Sequence, residues 1–206
     1  KNITTQTLID GLWVKGWPSG YVEGAKPLQL GQSMAGRAVT LRFVPHRPDI
    51  AEDKPKKEKS AEYLAIELCG PSEVLVIDAM GWEYSSIGGD IKFMRLMQLQ
   101  VGGLVTDGGV RDSVALKEYG FPVYSASTTA KQGPADFWPW QVNDAIQCGR
   151  VLVRPGDAVV GDDDGVVVVP RSEVDEVIRI AHEREKVEEV IKAQLEIEQC
   201  SPGKYY

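Results

Sequence analysis

Apolar and polar positions change period several times along the chain, and each change predicts an element. "TTQTLIDGLWVKG" (4–16) reads as a helix with a threonine cap and Leu8, Ile9, Leu12 and Val14 as its apolar positions. A Gly- and Pro-rich loop follows to about residue 35. "GRAVTLRFVP" (36–45) alternates and is rich in β-branched residues, the pattern of a strand. "HRPDIAEDKPKKEKS" (46–60) is highly charged with two prolines, which predicts a solvated loop prone to disorder. "AEYLAIELCG" (61–70) reads as a helix ended by glycine, and Val74–Asp78 as a short buried strand. In "GGDIKFMRLMQLQVGG" (88–103) the spacing predicts a helix with Ile91, Met94, Leu96 and Met97 apolar. "GLVTDGG" is a strand, "DSVALKEYG" (112–120) a helix and "FPVYS" (121–125) a strand. Strands and helices in this alternation predict parallel α/β units.

The pattern then shifts. "GRVLVRPGDAVVGDDDGVVVVP" (149–170) is strand-like and punctuated by Pro-Gly and three aspartates, as in antiparallel or barrel structure. Residues 171–200 form one long helical pattern with alternating charge. No internal repeat or linker interrupts the 206 residues, so one domain is expected.

Composition narrows the partners. A formal net charge of −7 argues against nucleic acid or an anionic membrane, both of which need clustered Lys and Arg. It leaves room for a small anionic substrate in a locally positive pocket. Cys69, Cys148 and Cys200 match no zinc spacing and are expected as unpaired thiols in a reducing cytoplasm. No apolar run approaches the roughly 18 residues of a membrane span, and no leader pattern is read.

Two stretches carry candidate chemistry. "GGD" (88–90) stands directly before a helix. There Asp90 can cap the helix, or the first-turn N–H groups can hold an anion. "DGGVRD" (107–112) ends a strand and opens a helix. It admits a structural reading, with Asp112 as helix cap and Arg111 paired to Asp107. It equally admits a binding one, with Arg111 as a carboxylate fork and Asp112 as a hard oxygen donor for Mg²⁺ or Mn²⁺. One helix and one strand separate the stretches, which returns the chain to the same end of the sheet. Both loops can therefore face one pocket at the carboxyl ends of the strands.

The pattern D-x20-R-D, preceded by "GG" and set in "GGLVTDGGVRDSVALKEYGFPVY", resembles the class II 4-hydroxy-4-methyl-2-oxoglutarate/4-carboxy-4-hydroxy-2-oxoadipate aldolases. That superfamily includes RraA-like regulators of ribonuclease E. "MAGRAVTL" (34–41), "PSEVLVID" (71–78) and "DDDGVVVVP" (162–170) extend the resemblance over most of residues 5–190. It implies an α/β/β/α swivelling-domain sandwich with a central barrel-like sheet and a long C-terminal helix. The assembly implied is a homotrimer or hexamer with sites between subunits.

Carried onto this chain, the resemblance makes Asp112 the holder of Mg²⁺ or Mn²⁺ and sets Arg111 on the pyruvoyl oxygens. Backbone N–H groups from Gly89 through Asp90 and Ile91 to Lys92 would receive the substrate carboxylate, and Asp90 would organise the water–metal network. Lys92 replaces a large aliphatic residue usual in the family, so it would flank the pocket and alter substrate preference. Glu185 or Glu188 of a neighbouring subunit's C-terminal helix would approach the metal shell. The implied reaction is pyruvate-releasing retro-aldol cleavage with oxaloacetate decarboxylation beside it. The alternatives are a non-catalytic regulator of a ribonuclease or helicase, and a lyase or hydratase on another oxo acid. Asp107 is assigned to closing the turn, His46 and His182 to the surface, Asp162, Asp163 and Asp164 to a hairpin turn, and Trp138 and Trp140 to core or interface packing.

Overall fold

Strand alternation sorts the apolar side chains into layers. In the computed structural model, which describes residues 3–205, the chain runs α1 (Thr5–Val14), β1 (Lys26–Pro27), β2 (Met34–Pro45), α2 (Ala61–Glu67), β3 (Glu73–Asp78), α3 (Asp90–Gln98), β4 (Gly103–Thr106), β5 (Gly109–Val110), α4 (Ser113–Tyr119), β6 (Val123–Ser125), β7 (Ser127–Thr128), β8 (Phe137–Val142), β9 (Ile146–Cys148), β10 (Val151–Val153), β11 (Ala158–Asp162), β12 (Gly165–Val169) and α5 (Val174–Glu198).

The main sheet has the order β1-β6-β4-β3-β2-β11-β12, with β8 also paired to β2. The neighbours β2, β3, β4 and β6 are parallel, as the alternation of strands and helices predicts, and the rest of the sheet is antiparallel. Tyr21 bridges to Val167 of β12, and Val22 N–H donates to Val166 O at 2.9 Å. Because β1 follows within a few residues, these contacts bring the two ends of the sheet together into a nearly closed barrel.

Side chains at alternate strand positions face opposite ways. On β3, Val74 and Val76 point into the barrel with Val105, Tyr124, Val166 and Val168. Leu75 and Ile77 point out, against Ile66, Phe93, Leu96 and Leu116 of α2, α3 and α4. On β12, Val167 and Val169 meet Leu8 and Leu12 of α1 and Val177 and Ala181 of α5. The result is the expected mixed α/β sandwich with a barrel-shaped sheet and a C-terminal helix. The aspartate run is the expected hairpin turn, and it has a second duty. The Asp162 carboxylate accepts from Thr5 N at 2.9 Å and Thr5 Oγ1 at 2.8 Å, fixing the start of α1. Among the described residues no helix is long and apolar enough to cross a membrane, and the three cysteines are unpaired, two of them buried.

Two expectations are corrected, and one further strand is found. The core face of α3 is Phe93 and Leu96, while Ile91 is 80% and Met94 46% exposed. "FWPWQV" is a strand, β8, along the second half of β2, where Pro139 opposes Phe43 beside a register shift. A proline is tolerated there because the ladder is already interrupted. The charged 46–60 segment folds back as two 3-10 turns: the His46 ring lies 4.6 Å from that of Trp138, and Lys54 Nζ stands 4.7 Å over the same indole. Trp138 is therefore core, as expected, and half-buried Trp140 follows it on the same strand.

Asp107, just after β4, does not close its own turn, where Gly108 N donates to Thr106 Oγ1 at 3.0 Å, but ties two other loops. It is 4% exposed, and it accepts from Ala79 N at 2.7 Å and Gly149 N at 3.3 Å. Asp78, at the end of β3, accepts from Met80 N at 2.9 Å. Burial pushes both carboxyls above the ordinary aspartate value of 3.8, and the Asp78 charge pushes Asp107 further. The folded state thus holds these protons longer than the unfolded chain. Their contribution favours folding below 3.8 and is lost as pH rises through the raised native values. Asp78→Asn should gain stability relative to the parent chain as pH rises through that window, which urea denaturation at successive pH values would measure. Inside the barrel, a Cβ on Gly161 would stand 2.8 Å from Tyr124 Cζ and 2.9 Å from Met34 Cε. Gly161→Ala should lower stability by about 1–3 kcal/mol in the same assay.

Candidate active site

Hydrogen bonds between two loops assemble the site. Ser86 Oγ donates to Gly88 O at 2.7 Å and accepts from Gly88 N at 3.1 Å, bending the chain ahead of α3. Ile87 N donates to Gly109 O at 2.9 Å, Gly109 N to Ser85 O at 3.1 Å and Arg111 N to Gly88 O at 3.1 Å. The loop before α3 and the turn before α4 are thereby zipped side by side. Asp90, Arg111 and Asp112 line one open groove of about 730 Å³, as their spacing predicts.

Within the groove the charges interlock. The Asp112 carboxylate accepts from Asp90 N at 3.2 Å and lies 3.3 Å from Arg111 Nε. Asp90 Oδ1 accepts from Ile91 N at 2.8 Å. The exposed first turn of α3 is therefore an anion site in use, holding two carboxylates of the chain itself. Gly89 is required by space: an ideal Cβ would fall inside the Asp112 carboxylate and 2.9 Å from Arg111 Cγ. Asp112 adopts φ 58 and ψ 36, a left-handed conformation that aspartate visits more readily than most residues.

The structural readings of this motif hold only in part: Asp112 stands at the cap position of α4 and Arg111 is ion-paired, but not in the expected way. The Asp112 side chain does not cap α4 but turns back toward α3. Arg111 pairs with Asp112 and not with buried Asp107. The residue at the cap position of α3 is Gly89, with Asp90 in the first turn.

Lys92 departs from the expectation that it flanks the pocket. Its Nζ binds Glu62 of α2 and donates to Ile87 O at 3.2 Å, and its backbone N donates to Gly89 O at 3.1 Å. Ile91 is exposed beside the groove. Glu185 and Glu188 are not brought to it within the chain: Glu185 accepts from Thr7 Oγ1 of α1 at 3.3 Å, and Glu188 pairs with Lys192 at 3.3 Å. His182 is half-exposed, 3.8 Å from Glu185. Among the described residues no three His, Cys, Asp or Glu side chains converge as a metal site.

Other groove residues went unread in the sequence. Val114, Ala115 and Glu118 line it from α4, and their helical spacing was the available signal. Thr128, Thr129 and Ala130 arrive through the short parallel pairing of β5 with β7, which has no local signature.

Comparison with known proteins identifies the family and the fold. The profile of the RraA-like family (Aldolase/RraA) matches residues 5–168. A Halalkalibacterium halodurans protein named "Putative 4-hydroxy-4-methyl-2-oxoglutarate aldolase" is 33% identical over 168 residues, covering 80% of this chain and 72% of that protein. The crystal structure of Streptomyces coelicolor RraAS2, described as an unusual member of the RNase ES inhibitor RraA protein family, superposes with a TM-score of 0.85 at 32% identity over 93% of each chain. An uncharacterized Pseudomonas syringae pv. tomato protein shares the fold, with a TM-score of 0.80 at 22% identity over 99% of this chain and 92% of that one. The chain belongs to the RraA-like family.

Proposed function

We propose that the protein cleaves a 4-hydroxy-2-oxo acid by a retro-aldol reaction that releases pyruvate, with Mg²⁺ or Mn²⁺ as cofactor. The observation that carries this reading is the convergence of Asp90, Arg111 and Asp112 on one groove at the start of α3. The aldolase name of the Halalkalibacterium relative supports it.

The donor set fits a hard divalent cation. Asp90 and Asp112 offer carboxylate oxygens in the same groove, and Mg²⁺ is commonly held by one or two carboxylates, waters and the substrate. When bound, the cation would supply Lewis-acid stabilisation of the charge that develops on the keto oxygen.

The protein's own groups do the rest. The Arg111 guanidinium and the Asp90 and Ile91 N–H groups receive the 2-oxo acid end, in exchange for the carboxylates they hold now. Asp112 is thereby released to face the cation. A water held by the Asp90 carboxylate takes the C4 hydroxyl proton. The C3–C4 bond then breaks, its electron pair enters the C2–C3 bond of the pyruvate enolate, and C4–O becomes a carbonyl. Arg111 is a fixed positive charge where the enolate forms. Protonation at C3 completes pyruvate. Oxaloacetate would yield the same enolate with loss of carbon dioxide.

Assembly as a homotrimer or hexamer is part of the proposal. Only Val177, Ile180 and Ala181 of the 25-residue α5 are buried, and Val187, Val190 and Ile197 further along it are exposed. Exposed Ile91, Met94 and Val114 flank the groove. A neighbouring α5 would cover such surface and bring Glu185 or Glu188 within range.

A second reading, a regulator acting by protein contact, is favoured by the RNase ES inhibitor family named for the Streptomyces structure. The motive for a different lyase or hydratase weakens, because Lys92 is tied to Glu62 and does not line the groove.

With Mg²⁺ or Mn²⁺ and oxaloacetate, the protein should produce pyruvate, and EDTA should abolish this. Arg111→Ala and Asp112→Ala should each lower kcat by about 10²–10³-fold, as loss of a transition-state charge partner does elsewhere. Pyruvate release followed by a coupled dehydrogenase checks both. Unchanged turnover in either variant would sink the assignment, and absence of all turnover alongside tight capture of a ribonuclease would favour the regulator.

A further inference from the structure

A second recess, of about 790 Å³, shares no residue with the candidate active groove. Three segments build it. Residues 17–21 run beside β12, where Val168 N donates to Gly20 O at 2.8 Å and Tyr21 bridges to Val167. Residues 150–157 and 170–172 are tied together by buried Asp157, whose carboxylate accepts from Arg154 N at 2.8 Å and Arg171 N at 3.0 Å. One carboxylate thus sets the backbones of two arginines beside each other. A Cβ on Gly156 would stand 3.8 Å from Arg171 Cδ and 3.9 Å from its Nη1, so the Arg171 side chain lies over the turn that follows Arg154.

Among the described residues lining the recess, three arginines face two carboxylates. Arg150 is paired with Glu23 at 3.3 Å, and Asp157 is spent on backbone amides. Glu173, next along the chain from the rim, is paired with Lys15 at 3.3 Å. Arg154 and Arg171 are exposed, and neither forms an ion pair among the described residues. On a chain of net charge −7, two such guanidiniums at one recess make a local site for an anion. Much of the remaining wall is apolar and aromatic: Trp17 is 41% and Leu152 67% exposed, with Pro18, Tyr21 and Pro170 beside them. Ring and fork together suit a ligand with a flat apolar body and a charged end.

We infer that this recess binds an organic phosphate that carries an aromatic ring, the class of a nucleoside monophosphate. A carboxylate is filled by one guanidinium fork. A phosphate monoester has further terminal oxygens and a larger charge, enough to accept from Arg154 and Arg171 together. The Trp17 indole takes the ring, and the Ser19 and Ser172 hydroxyls are available to polar groups between ring and phosphate. No residue of the active groove enters this binding, so the site stands or falls separately from the aldolase reading.

The test is isothermal titration calorimetry of the assembled protein with adenosine monophosphate, phenyl phosphate, adenosine and inorganic phosphate. EDTA is present throughout, so that no metal-held phosphate enters the active groove. Adenosine monophosphate should bind with a Kd below about 1 mM, and adenosine and inorganic phosphate each about tenfold or more weakly. Phenyl phosphate, the ring-and-phosphate core of the class, should also bind more tightly than inorganic phosphate. Arg154→Ala and Arg171→Ala should each weaken adenosine monophosphate about tenfold or more. Trp17→Ala should weaken it about fivefold or more, and Trp17→Phe should restore most of the loss. The arginine side chains are exposed and their backbone N–H groups remain on Asp157, so these variants should keep the parent melting temperature. Should either melt early, Arg154→Lys and Arg171→Lys keep the charge, lose the fork and should still weaken binding. The inference is overturned if neither adenosine monophosphate nor phenyl phosphate binds more tightly than inorganic phosphate. It is equally overturned if the arginine variants leave the affinity unmoved. Binding lost in Arg111→Ala but kept in Arg154→Ala would put the anion in the active groove and overturn it too.

Discussion

The candidate site depends on backbone hydrogen bonds between two loops that are distant in sequence. Ile87 N to Gly109 O, Gly109 N to Ser85 O and Arg111 N to Gly88 O hold residues 85–88 against residues 109–111. Buried peptide groups must find partners, and these loops find them in one another. The close approach has a steric condition. A Cβ on Gly109 would stand 2.6 Å from Glu83 O, and one on Gly89 would displace the Asp112 carboxylate. Glycine at these positions is the reason that an α3 N-terminus, an arginine and a carboxylate can share a few ångströms. Binding, charge and catalysis in the proposed reaction are all built on that contact.

The barrel supports the loops from below. Its interior is filled chiefly by valines from alternate positions of adjacent strands, with Tyr124 as the large exception. Tyr124 fits because Gly161 faces its ring, and its hydroxyl donates to Gln32 O at 3.2 Å. At the end of β3 and just beyond β4, Asp78 and Asp107 both bind amides of the turn after β3, Met80 N and Ala79 N, and Asp107 also binds Gly149 N. These carboxylates carry a burial penalty in exchange for satisfying amides of the turn after β3 and of Gly149.

Much of this was legible in the sequence. Valine alternation and glycine punctuation located most of the strands and all of the α-helices, because those signals are local. The D-x20-R-D spacing located the groove, because one helix and one strand return the chain to the same sheet end. What was not legible depends on distant partners. β8 is a strand because the second half of β2 needs a neighbour, not because "FWPWQV" alternates. The charged 46–60 segment folds because Trp138 offers an indole face to His46 and Lys54. Lys92 reads as a pocket residue until α2 supplies Glu62. Glu118 and Thr128 join the groove only through the packing of α4 and the pairing of β7.

To bind the acidic substrate of the proposed reaction, an acidic chain has to concentrate positive potential, and the groove offers one such point. The α3 N-terminus and Arg111 converge, while Lys92 and Lys131 are paired with Glu62 and Asp136. Asp112 lies at that point, against Arg111 and the Asp90 N–H. A ligand in the proposed reaction has to compete with that carboxylate. In the proposed reaction a 2-oxo acid does so, because its carboxylate replaces Asp112 at Arg111 while its keto oxygen faces the place where Asp112 and Asp90 can hold a cation. Preference for 2-oxo acids over simple carboxylates would then come from the added contact of the keto oxygen, since either carboxylate can compete with Asp112 at Arg111.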